Sequence, residues 1–167
     1  LPPISSSPYI MSWLVNGYYT NSRAVRMSTD YLGGEAAAAP RVGTVSGGKT
    51  WFRLDSVKSY IDLKTPFNSP TGCAGYAFVY VYSPVAQSAN LWMGSDDGIK
   101  VWLNGAVVWN NDVYRSMALD VDKTTINLAA GWNRLLVKIT QADQGWGFSL
   151  RLCDSAGNAL PGIATAF

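Results

Sequence analysis

The residues able to do chemistry in this 167-residue chain are few, and their pattern narrows that chemistry. There is no histidine, which removes the commonest general base, the usual zinc ligand and the Ser-His and Cys-His nucleophile systems. Glutamate occurs once, as Glu35 in the loop-like DYLGGE, and the aspartates show no paired strand motif suited to two-carboxylate glycoside hydrolysis. Tyr114-Arg115 could serve lyase chemistry but stands without companion strand motifs. Catalysis is not expected. The sharpest local signal is the adjacent pair Asp96 and Asp97 in Ser95-Asp96-Asp97-Gly98. Read from the residues, such a pair either accepts backbone N–H groups in a tight turn or offers paired carboxylates to a cation. Asp120 and Asp122, two apart in a polar loop, repeat the choice between a cation site and a solvated loop, with the loop the blander reading.

The other available chemistry is that of aromatic rings beside amides and acids, which suits sugars: rings cover the C–H faces and fixed polar groups take the hydroxyls. Trp109, Asn110, Asn111, Asp112, Tyr114 and Arg115 form the densest such cluster, and Trp146 with Gln141, Asp143 and Gln144 forms another. Trp102 and Trp92 project from the face opposite the inward apolar row, either exposed or covered by the N-terminal segment. Burial is the ordinary fate of any single Trp, but with seven in the chain at least one is expected to be functional.

The elements that must position these groups are strands. Leu91 and Met93, then Ile99, Val101 and Leu103, recur every second residue, which reads as a half-buried antiparallel sheet of strand, acidic turn, strand. Asn104-Gly105 then predicts a type I′ hairpin. The strongest strand is Ala74 to Tyr82, with Tyr76, Phe78, Tyr80 and Tyr82 on one face and Ala77, Val79 and Val81 on the other; its aromatic row reads as core rather than as a ligand platform. Further strands are predicted at Met11–Val15, Trp51–Leu54, Tyr60–Leu63, Thr124–Leu128, Arg134–Thr140 and Trp146–Cys153. Tyr18 and Tyr19 are placed on a loop, Asp30–Glu35 in a loop with at most one helical turn, and 113–123 in a long loop reaching from one end. About ten short strands punctuated by Gly, Asn and Pro predict an all-β, two-sheet antiparallel jelly-roll β-sandwich.

The stretch Ser95-Asp96-Asp97-Gly98, a Trp-bearing strand and Asn104-Gly105, together with AAGWNRLLVKI at Ala129 to Ile139, resembles the protective-antigen-like and galactose-binding-like jelly rolls appended to secreted glycoside hydrolases and adhesins. The likeness runs from about Tyr76 to Leu152. It implies a carbohydrate-binding module and, in the lectins of the first type, an adjacent Asp pair joined by a cis peptide that holds calcium with help from a downstream loop. Carried over, Asp96 and Asp97 are the metal ligands, Asn110, Asn111 and Asp112 the loop candidates, and Ca2+ the cofactor.

Composition sets the remaining bounds. Hydrophobic residues make up 48% and charged ones 14%, with 16 Gly, which suits short strands and turns. The net charge of +2 is spread over scattered basic residues, so nucleic acid is not an expected partner. No apolar run reaches membrane-span length, and no membrane partner is expected. Leu1 to Pro8 reads as a linker remnant and 9–167 as one β-sandwich domain of a secreted, extracellular polypeptide. The expected partners are a polysaccharide or oligosaccharide and a catalytic domain of the same polypeptide, with the module itself a monomer. A structural or adhesion sandwich that binds no sugar is the alternative. Cys73 and Cys153 leave open one disulfide or two buried thiols.

Overall fold

The computed structural model describes residues 7–167, so most of the Leu1–Pro8 segment lies outside the described residues. Thirteen strands form two main antiparallel sheets and a small hairpin. In chain order they are β1 (Ser12–Thr20), β2 (Val45–Ser46), β3 (Lys49–Thr50), β4 (Phe52–Asp55), β5 (Ile61–Asp62), β6 (Cys73–Ser83), β7 (Gln87–Asp96), β8 (Ile99–Leu103), β9 (Ala106–Asn111), β10 (Asp122–Leu128), β11 (Gly131–Gln141), β12 (Gly147–Cys153) and β13 (Ala164–Ala166). The larger sheet runs β4-β1-β6-β11-β8-β9, with β13 also on β6; the smaller runs β10-β7-β12-β5. The two-sheet sandwich expected from the sequence is thus present.

Alternation builds the space between the sheets. Val79, Val81, Val101, Val137 and Ile139 from the larger sheet meet Leu91, Met93, Phe148, Leu150 and Leu152 from the smaller. From β6 onward the chain crosses between sheets at almost every connection, which corrects one expectation. β7 and β8 do not pair across the acidic turn: β7 lies between β10 and β12, whereas β8 lies between β11 and β9. Ser95-Asp96-Asp97-Gly98 is therefore a crossing between sheets at one end of the sandwich. The hairpin at Asn104-Gly105 is as expected, with φ of 51° and 88° at the two turn residues.

A second apolar layer covers part of the outer face of the larger sheet. Leu14, Trp51, Tyr76, Phe78, Trp102 and Leu136 are buried there, packed by Tyr19 of β1 and by Tyr31, Leu32 and Ala38 from the excursion between β1 and β4. Lys138, fully buried on β11, fastens that excursion: its Nζ donates to the carbonyls of Met27 and Thr29 and to Glu35 Oε1. Glu35 opens the single 3-10 turn Glu35–Ala37 and also accepts from the Tyr76 hydroxyl at 2.6 Å. Tyr18 and Tyr19 lie within β1, not on a loop, because the strand continues past Asn16-Gly17 through a register shift. Cys73 and Cys153 are two free, buried thiols, and burial pushes the Cys73 thiol up to about 12.

Candidate functional site

The crossing from β7 to β8 gathers the chain's unusual carboxylates. The Asp96-Asp97 peptide is cis. Asp97 is buried and fully engaged by backbone: Oδ1 accepts from Arg115 N at 3.0 Å and Oδ2 from Ala142 N at 2.8 Å. Its own N–H donates to Thr140 O at 2.9 Å, and its carbonyl accepts from Ser95 Oγ. Asp97 therefore ties the segment after β9 and the turn after β11 to the crossing, each through an otherwise orphan N–H.

Asp96 is the opposite case. Half-buried, its carboxylate accepts no hydrogen bond from any described residue. Burial, then the neighbouring Asp97, push its pKa up to about 6, against a smaller opposing pull from Lys64. Gly145 lies directly against it; a Cβ there would stand 2.4 Å from Asp96 Oδ2, so only glycine lets the turn approach so closely. That turn also carries Asp143, exposed, which accepts from the Tyr114 hydroxyl at 2.9 Å. This bond and the Asp143 charge raise the Tyr114 pKa, with smaller contributions from Asp97 and Asp96. Tyr60 closes another side, its phenol raised by burial and then by Asp62 and Asp96. The result is an acidic mouth of Asp96, Asp97 and Asp143 with Tyr114 and Tyr60 beside it.

The candidate residues read from the sequence separate into three groups. Tyr114 is at this mouth, 60% exposed. Asn111 ends β9 with its carbonyl over Gly98, while its Nδ2 donates to Asp122 Oδ1 at 3.3 Å and leaves the amide oxygen unused. Asn110 is exposed on β9, and Asp112 is turned into a surface ion pair with Arg23.

Others are structural. Arg115 points inward, donating to Ser95 O, Ser95 Oγ and both oxygens of Asp122, so its guanidinium clamps two elements of the smaller sheet and is not offered to a ligand. The same contacts make Asp122 an ion-pair partner, and Asp120 likewise holds Arg151; neither acts as a cation ligand. Trp146 is fully buried, its ring tilted against Phe67 at 5.5 Å and its Nε1 donating to Ile139 O, which corrects its expected place in a sugar-binding cluster with Gln141, Asp143 and Gln144. Trp102 is 4% exposed beneath the excursion. Trp109 is half-buried against the main core, with a buried Nε1 that has no partner.

Asp143 is the contribution to the mouth that sequence reading did not assign there, because the turn that carries it reaches Asp96 only through the pairing of Gly147 with Asp96 and the close approach of Gly145. Calcium takes six to eight oxygens. Among the described residues no group of three or more His, Cys, Asp or Glu side chains stands close enough to hold a metal. Asp96 carries the one carboxylate of this crossing that no described residue hydrogen-bonds, whereas both Asp97 oxygens already accept backbone N–H groups.

No protein-family model matches the chain, and no curated protein matches it. Among solved structures, an anti-sigma factor domain-containing protein is 14% identical with a TM-score of 0.51, over 94% of this chain and 46% of that one. A second, from Clostridium clariflavum, is 7% identical with a TM-score of 0.52, over 93% and 44%. The PA14 domain of the MpAFP antifreeze protein is 18% identical with a TM-score of 0.46, over 99% and 94%. The first two share the β-sandwich fold, and this chain spans less than half the length of each.

Proposed function

We propose that the chain is a non-catalytic carbohydrate-binding module whose site is the mouth around Asp96. The observation that carries this is the Asp96 carboxylate, half-buried, crowded by Asp97 and given no hydrogen bond by any described residue. Such a group, with only the weaker pull of Lys64 and no ion pair among the described residues, is suited to a hard cation. Asp96 and Asp97 would hold calcium, which offers its open positions to vicinal sugar hydroxyls. Tyr114 adds an exposed ring beside it for the apolar face of the sugar. A module of this kind raises the local concentration of a catalytic domain on the same secreted polypeptide at its polysaccharide, an effect that needs only modest affinity.

Native gels cast with a panel of soluble polysaccharides, run with calcium and with chelator, test the reading. At least one glycan should retard the protein only in calcium, and Asp96→Asn should behave as chelator does while its melting temperature in chelator stays within about a degree of wild type. If no glycan's retardation depends on both calcium and Asp96, the mouth is structural and the alternative of a non-binding sandwich takes its place.

A further inference from the structure

We propose a second glycan site, independent of calcium: a shelf on the bare quarter of the larger sheet's outer face that takes uronate-bearing polysaccharide. Pairing register defines it. Directly opposed residues of an antiparallel ladder share a face, and β6 and β11 pair Tyr82 with Trp132 and Tyr80 with Arg134. On the other side of β6, β13 sets Ala164 against Tyr82 and Ala166 against Tyr80. Two rungs result, Trp132-Tyr82-Ala164 and Arg134-Tyr80-Ala166. They lie on the same side as Tyr76 and Phe78, the side that the excursion covers further along. That cover stops at Ala38, whose carbonyl accepts from the Arg134 guanidinium at 3.1 Å.

Beyond it the aromatic row is only partly covered: Tyr80 packs edge to face on Phe78 at 4.8 Å, and Tyr80 and Tyr82 are both half-buried. Trp132 is 48% exposed, and its ring meets Tyr82 edge to face at 5.3 Å and 63°, a wall and floor rather than a filled core. Small alanines stand beside both tyrosines, and Phe167 after them packs against the covered layer. Neither tyrosine hydroxyl nor the Trp132 Nε1 hydrogen-bonds any described residue, and Arg134, with Nη1 on the Ala38 carbonyl, has no acidic partner among them. The other cations of this face are engaged elsewhere: Arg53 holds Asp55 at 2.9 Å and lies over the Phe167 ring, Lys100 lies over Trp102, and Lys138 is bonded to Glu35. Rings for sugar C–H faces, hydroxyls for sugar oxygens and a guanidinium awaiting a carboxylate together fit an acidic glycan. The shelf stands whether or not the mouth binds a cation.

The test is affinity electrophoresis at physiological salt with chelator throughout, in gels containing polygalacturonate or its fully methyl-esterified form. The wild-type protein should be retarded by the first far more than by the second. Trp132→Ala keeps every charge and should lose at least ten-fold in apparent affinity, with Trp132→Phe recovering part; Arg134→Gln should lose most of the preference for the free acid. Asp96→Asn should be retarded as wild type, which separates this site from the mouth. Equal retardation of wild type and Trp132→Ala, equal retardation by both polymers, or none by polygalacturonate overturns the proposal.

Discussion

Glu35 and Asp96 are both carboxylates drawn partly out of water, and their surroundings answer that withdrawal in opposite ways. Around Glu35 the fold supplies an ammonium at 2.8 Å and a phenol at 2.6 Å, and the ammonium in turn meets the Met27 and Thr29 carbonyls. Burial lowers the Lys138 pKa, with Glu35 opposing, and raises that of Tyr76, with Glu35 reinforcing. Every charge there has a partner of the chain's own making. Around Asp96 the fold supplies a second acid and a glycine that lets a turn press close. A carboxylate satisfied internally is holding the structure; one that is withdrawn and left unsatisfied is available for something else.

The comparison breaks most visibly at Glu35. Glu35→Ala leaves Lys138 buried without its counter-ion, and the loss of a partner from such a pair costs about 3–5 kcal/mol. Urea unfolding should show that loss, and since Lys138 fastens the excursion, Trp51 and Trp102 should gain exposure to quenchers. A loss below about 1 kcal/mol would show that the excursion is held by its apolar layer alone. Asp97→Ala should come next, at about 2–3 kcal/mol, because the N–H groups of Arg115 and Ala142 lose their acceptor together. An unchanged unfolding midpoint for Asp97→Ala would mean that water replaces the carboxylate at no cost.

The two clusters also differ in how far the sequence foretells them. Local periodicity suffices for the main core: the alternation of Val79 and Val81, of Leu135, Val137 and Ile139, and of Phe148, Leu150 and Leu152 places each on the inward face where it is found. The two positive φ angles at Asn104-Gly105 follow from the dipeptide itself. Which strands neighbour one another is a different quantity, set by contacts across the whole chain, and there local reading falls short. The acidic turn looks like a hairpin because its flanking strands alternate, yet they enter different sheets. Trp146 looks like part of a polar loop because Gln141, Asp143 and Gln144 surround it in sequence, while its ring fills the space beside Phe67. The aromatic row of β6 divides: Tyr76 and Phe78 are core, whereas Tyr80 and Tyr82 reach past the cover. Lys138, on a strand whose alternate residues face inward, gives no local sign of a partner 103 residues away.

The smallest effect discriminates best, since it concerns the sign of a pH dependence. The folded-state pKa of Asp96 stands at about 6, above the ordinary carboxylate value of the unfolded chain. Between those values the folded protein binds more protons than the unfolded one, so this group's contribution to stability is full at low pH and is lost as pH rises towards 6. The Asp96 contribution is isolated as the difference between wild type and Asp96→Asn. The wild-type Tm should fall relative to the Asn variant from about pH 4 to pH 6 in chelator, by a degree or so given how much of the group water still screens. Calcium should reverse that difference at pH 7, because a bound cation stabilises the ionised carboxylate that the empty fold disfavours. A difference curve flat from pH 4 to pH 7 would place Asp96 with Glu35 among the satisfied carboxylates, and the contrast between the two regions would dissolve.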